Sequence, residues 1–405
     1  MQSPRVLGLA GAVVLGLGSM LGAGVFVAFG PAAAAAGSGL LISLVIAAAV
    51  AFCNAQSSAR LARLYPVAGG TYAYGRERLG PFWGYLAGWA FVVGKIASSA
   101  AIALTVGSYL WPEYAHPVAV GAVILVTALD VAGLRKSTAV TAGIVAVVVL
   151  TIGAVIAVGW SSGATDAAAL LPAAGLDPFG VLTGAGLLFF AFAGYARIAT
   201  LGGEVREPER TIPRAIPIAL GIVLVLYALL AVTLLALLGT SLADSAAPLA
   251  DAARAGGAGW LVPVVSAVAG LAALGSLLAL LLGISRTTMA MASHGDLPRG
   301  LAAQHPRTGV PHVAALAIGL VVAVLAAFAD LRGAIGFSSF GVLVYYAIAN
   351  ASALTLRERP VLPIVGLLGC LVLAATLPWQ SSVAGAAVLA VGAAVYGVRT
   401  RMRRA

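Results

Sequence analysis

The chain has 405 residues, of which 61% are hydrophobic and only 9% charged. A soluble domain carries about 25% charged residues, so an ordinary water-soluble fold is excluded and most of the length belongs in lipid. The formal net charge of +10 would by itself suit nucleic acid, but the basic residues sit in short clusters between apolar runs and form no continuous patch.

Apolar runs recur along the chain, each long enough to cross ~30 Å of hydrocarbon as a helix. In order they predict about twelve helices, at roughly 6–29, 37–59, 80–109, 117–133, 138–160, 180–201, 213–239, 259–288, 312–329, 333–356, 361–378 and 382–398. The longest polar connections, of about 20 residues, lie around 61–79, 161–179, 240–258 and 289–311, so no soluble domain is expected. Arg5, the first apolar run and the alanines Ala32 to Ala36 imitate a signal peptide. The run is longer than the usual core of about 7–15 residues, glycines interrupt it and many spans follow, so it is read as a retained first helix.

With the N-terminus placed in the cytoplasm, all but four of the 23 Lys and Arg residues fall in cytoplasmic segments, Arg286 among them. The exceptions are Arg254 and Arg332 in external loops, and Lys95 and Arg197 within helices. This asymmetry predicts a multi-pass plasma (inner) membrane protein with both termini cytoplasmic. The basic surplus then serves orientation and contact with membrane lipid, and nucleic acid is not a partner.

Helix one contains Gly18-Ser19-Met20-Leu21-Gly22-Ala23-Gly24. Glycines at this density weaken a helix where no water can satisfy the freed backbone groups. Broken backbone at that depth is tolerated where it lines a buried cavity, so the segment predicts a binding site near the bilayer midplane. Helix six has a counterpart in Phe189-Phe190-Ala191-Phe192-Ala193-Gly194-Tyr195-Ala196-Arg197, with Gly194 at mid-span beside a charge. Helices one and six each begin a five-helix set, and an odd-numbered repeat inserts its second copy upside down. The matching breaks predict one domain over 1–405, with inverted repeats at about 6–160 and 180–356 and accessory helices at about 361–398. Taken singly, either glycine set is equally the mark of close helix packing.

Lys95 lies midway along helix three, in Gly94-Lys95-Ile96-Ala97. A charged lysine at the bilayer centre costs about 2.5–3.5 kcal/mol, so it should face a cavity. Four roles stay open: a fixed cation in place of sodium, a proton carrier, a contact for a substrate carboxylate, or a side chain that snorkels or bonds helix carbonyls. Arg197 is placed either to snorkel toward the cytoplasm or to pair, as a gating or coupling group, with Glu204 seven residues on. No Asp or Glu falls at the middle of a predicted span; Asp130 and Glu204 lie nearer the cytoplasmic ends. Cys53 and Cys370 fall inside helices, and the four histidines lie in loops or at helix ends, so neither a disulfide framework nor a metal site nor a cofactor is expected. The mid-span regions also lack the paired groups an enzyme would need, and a channel would need a continuous polar lining.

At these residues the chain resembles a known family. Gly18 through Phe26 is similar to the first-helix signature of the amino acid–polyamine–organocation (APC) permeases. Phe189 to Thr200, followed by Glu204-Val205-Arg206-Glu207-Pro208-Glu209-Arg210-Thr211-Ile212-Pro213-Arg214, resembles its second signature. Arg286 through Met291, Gly295-Asp296-Leu297-Pro298 and His305-Pro306-Arg307 resemble the loop after its eighth helix, and Gly88-Trp89 fits its third. The resemblance implies an all-α LeuT-type fold with five-plus-five inverted helices, interrupted helices one and six, and two accessory helices. It implies alternating access around an amino acid, bound at Ser19, Met20, Leu21, Gly22, Ala23 and Gly24 and at Phe192, Ala193, Gly194 and Tyr195. Phe190 is the expected aromatic gate, and Ser276 of helix eight the expected hydroxyl. Many relatives hold an acid where this chain has Ala196, and some use a helix-five lysine that is absent here. The expected function is a secondary transporter of neutral amino acids, working by proton symport, exchange or export. Anionic amino acids are the first alternative; basic amino acids or polyamines are disfavoured by Lys95 and Arg197.

Overall fold

A computed structural model describes residues 7–65, 69–133, 137–171, 175–199, 205–306 and 308–402. The protein is all-helical. Among the described residues the extended pairing is limited to an isolated parallel bridge between Leu7 and Val205.

The twelve expected helices are present. Helix one comprises Leu9–Met20, Gly24–Val27 and Phe29–Ala36, and helix two Leu40–Leu64. A short polar helix, Thr71–Leu79, leads into helix three, Pro81–Leu110. Helix four is Ala115–Val131 and helix five Thr138–Ser161. Helix six runs Pro178–Phe192, makes a 3-10 turn at Ala193–Tyr195, and continues as Ala196–Ala199. Helices seven and eight are Pro208–Leu238 and Val262–Ser293; nine to twelve are His312–Phe328, Leu331–Leu354, Val361–Thr376 and Trp379–Met402. Among the described residues ten segments are long and apolar enough to cross a membrane, while helices nine and eleven are shorter, at 17 and 16 residues.

Several boundaries differ from the sequence reading by a few residues, and three of them bear on the site or its frame. Helix one continues past residue 29 to Ala36. Pro31 removes the bond to Val27 and leaves a bend at Ala28, but the alanines that follow are strong helix formers, and Gly37 with φ +53° ends the run. Helix seven starts at Pro208, where a proline at the first helical position costs no hydrogen bond. Helix eight extends from the expected 288 to Ser293, so Arg286 through Met291 lie within its cytoplasmic half and not in the loop that the resemblance implied. Carboxylates cap helices six and ten: Asp177 accepts from the amides of Phe179 and Gly180, and Asp330 from that of Gly333.

Helix three is the most buried span, packed against helices eight and ten. It crosses helix ten at Gly94 and Gly341, where a methyl group on Gly341 would lie 2.8 Å from the Cα of Gly94. Lys95 is about 100° further round the helix, so it lies beside this crossing and not in it. The accessory helices are held by polar contacts. The Trp89 indole donates to the carbonyl of Val388 in helix twelve (2.9 Å), and the Asn54 amide donates to the thiol of Cys370 in helix eleven (3.2 Å). Beyond the end of helix eight, buried Asp296 accepts from the Tyr72 hydroxyl (2.8 Å) and pairs with Arg76 and with Arg399 of helix twelve. Burial and the neighbouring carboxylate raise the Tyr72 hydroxyl above its ordinary pKa, so it remains a donor.

Candidate substrate site

The two breaks touch. A methyl group on Gly24 would come within 2.7 Å of the Cα of Ala191, and one on Gly194 would run into the Ser19 carbonyl and lie 2.7 Å from the Met20 amide. Only residues without Cβ allow the two backbones this close. Gly22 is in the same position against the Ser276 hydroxyl. The glycines therefore serve close packing and the breaks at once, and the two readings of them are not rivals.

Unwinding frees carbonyls, and buried hydroxyls meet them. The Tyr227 hydroxyl of helix seven lies 2.6 Å from the Met20 carbonyl and 3.2 Å from that of Ala191, so its single proton is shared between the two broken helices. Its ring packs between Phe29 and Phe192. Tyr346 of helix ten reaches the Ala193 carbonyl only at 3.4 Å, and Ser276 reaches the Gly18 carbonyl at 3.5 Å. The Ser19 hydroxyl is spent on the Leu15 carbonyl of its own helix (3.0 Å).

A cavity of about 330 Å³ opens beside this junction. Of the residues expected at the site, Ser19, Met20, Ala23, Gly24, Lys95, Phe190, Ala193, Gly194, Arg197 and Ser276 line it. Leu21, Gly22, Phe192 and Tyr195 do not. Leu21 points into the core, Gly22 is covered by Ser276, Phe192 packs on Tyr227 (5.2 Å between centroids) and Tyr195 stacks on Tyr346 (5.1 Å). Glu204 lies outside the described residues. Lys95 is only 8% exposed. Among the described residues its ammonium meets no carboxylate, carbonyl or hydroxyl at hydrogen-bonding distance.

A family model described as amino acid permease matches residues 11–395. The chain belongs to the amino acid permease family. It is 63% identical to an uncharacterized transporter of Mycobacterium tuberculosis, over 99% of this chain and 92% of that protein. It is 31% identical to cationic amino acid transporter 7, chloroplastic, of Arabidopsis thaliana, over 86% of this chain and 65% of that one. To the branched-chain amino acid permease BcaP of Bacillus subtilis it is 25% identical, over 98% and 93%. Together these relatives support amino acid transport across a membrane.

The permease's cavity has further walls that the motif residues did not single out. Phe91, Ser98 and Ile102 join Lys95 on helix three, and Ala279, Leu280, Gly283, Arg286 and Thr287 join Ser276 on helix eight, with Tyr345 closing the helix-ten side. The signal was present as periodicity: positions 91, 95, 98 and 102 follow the spacing of one helix face, as do 276, 279, 283 and 286–287. Arg286, grouped from sequence with the cytoplasmic charges, is a lining residue. Among the described residues the lining contains basic side chains and no Asp or Glu.

Proposed function

We propose that this permease is a secondary carrier of the plasma membrane that moves an amino acid by alternating access, as an exchanger or with protons. The observation that carries the reading is the junction of two interrupted helices beside a cavity of about 330 Å³, at the lower end of the roughly 300–1,000 Å³ usual for small-molecule sites. Helix one restarts at Gly24, so the first amides of its outer half face the break and suit a carboxylate. The Ala193 carbonyl, weakly held by Tyr346, retains acceptor capacity for an ammonium. A zwitterion matches this pair. Two inverted five-helix repeats, about 6–160 and 180–356, rocking about the site would expose it to each side in turn. Both termini are assigned to the cytoplasm on the Lys and Arg distribution.

The named relatives differ in cargo, cationic for one and branched-chain for another. The lining of this chain favours a neutral or anionic side chain. Phe91, Ile102, Phe190 and Leu280 supply apolar wall, while Lys95, Arg197 and Arg286 oppose a cationic one. The deciding experiment is counterflow in proteoliposomes with a panel of labelled amino acids, run with and without a pH gradient. Saturable exchange of amino acids with non-cationic side chains is expected; flux that never saturates, or no exchange by any amino acid, rejects the carrier.

A further inference from the structure

Lys95 is the feature of this cavity that the zwitterion scheme leaves unused. It is buried in the lining, and no described group neutralises it. Three bland roles fail on geometry. It cannot snorkel: it stands at the middle of a 30-residue helix, with about 21 Å of helix on either side, several times the length of its own side chain. It does not hold open the broken helices, because among the described residues its ammonium reaches no carbonyl of either break at hydrogen-bonding distance, and the shortest bond there, to the Met20 carbonyl, comes from Tyr227. It is not one half of an internal ion pair among the described residues, since the cavity lining there has no acid.

A buried ammonium without a counter-charge is costly, and the cost falls when the arriving ligand brings the missing carboxylate. A neutral amino acid carries no net charge. If its ammonium lies on the helix-six carbonyls and its carboxylate on the helix-one amides, Lys95 is still uncompensated. An amino acid with a second carboxylate supplies it. We propose that the Lys95 ammonium binds the side-chain carboxylate of an acidic amino acid, so that aspartate or glutamate is the preferred cargo. The proposal rests on the carrier reading above and narrows its substrate class. Helices three and ten cross at Gly94 and Gly341, and Lys95, the next residue, lies in the cavity lining beside that crossing. Phe91 and Ile102, on the same helix face, leave it as the charged contact which that wall offers.

The test compares glutamate with glutamine, which has nearly the same shape without the charge. In counterflow with the purified full chain in proteoliposomes, glutamate is expected to exchange at least about tenfold faster than glutamine at equal low concentration. Lys95→Met is expected to lower glutamate exchange by at least about tenfold and to bring the two amino acids within about threefold of each other. Lys95→Arg keeps the charge and is expected to keep the order of preference. Size-exclusion profiles report whether each variant is folded. If Lys95→Met is not, the wild-type ratio and Lys95→Arg decide. Glutamine exchanging as fast as glutamate overturns the proposal and leaves the carrier standing. Exchange of neither, nor of any other amino acid, overturns both.

Discussion

The break in helix one and the break in helix six come from the same device, glycine inside an apolar helix, yet they end in different states. At helix one the Met20 carbonyl has a short bond from Tyr227, and the Gly18 carbonyl has the Ser276 hydroxyl nearby. At helix six, beyond the backbone bonds of its own 3-10 turn, the Ala193 carbonyl has a long side-chain contact with Tyr346, and Ala191 shares the Tyr227 proton with Met20. Helix one is thus braced by the surrounding helices, while helix six keeps acceptor capacity facing the cavity. A broken membrane helix becomes a binding element to the extent that its neighbours leave it unsatisfied.

The largest expected effect tests what the breaks have in common. Gly194→Val or Gly24→Val puts side-chain atoms into the opposing backbone, which cannot yield as a flexible side chain would. Overpacking of this kind costs about 1–3 kcal/mol or more, and counterflow should fall below detection for either variant. Substantial flux in either would mean that the two backbones do not need this contact. Next comes Tyr227→Phe, which strands two buried carbonyls. A loss of about 1–3 kcal/mol corresponds to a drop of about 5- to 150-fold in transport, read at matched amounts of folded protein.

The asymmetry itself is tested by Tyr346→Phe, which removes a contact already stretched to 3.4 Å. Its transport should fall by no more than about threefold, in keeping with the average of ~0.6 kcal/mol for side-chain hydrogen bonds inside membranes. If Tyr346→Phe proves as damaging as Tyr227→Phe, the contrast between the breaks is wrong. Smallest is Ser276→Ala: a bond of 3.5 Å is near the limit of what counts as one, and a change within about twofold is expected. A larger effect, confined to a rise in KM, would assign that hydroxyl to the substrate.

Much of the architecture was legible because it rests on local rules. The helices follow from apolar length, and the breaks at residues 21–23 and 193–195 from glycines where helix formers belong. Boundaries were less legible where two rules compete, as at Pro31, which bends helix one, and at the run of alanines that carries it on. At the site, Lys95, Phe190, Gly194 and Ser276 were found from motif and charge, and the structure places them in one lining. Tyr227 gave no comparable signal. It is a tyrosine in an apolar helix more than 200 positions from Met20, and nothing local to helix seven says that its hydroxyl bridges two other helices.

By itself, then, the sequence determined the class of the protein, its succession of helices, and the two places where the backbone comes apart. Each of these depends on residues close together in the chain. Only the tertiary structure decided which groups face the cavity. It put Arg286 in the lining, turned Leu21, Phe192 and Tyr195 into the core, and left the Lys95 ammonium without a described partner. What a side chain faces depends on how its helix crosses the next, here at Gly94 and Gly341, and such a crossing is a contact between residues far apart in sequence.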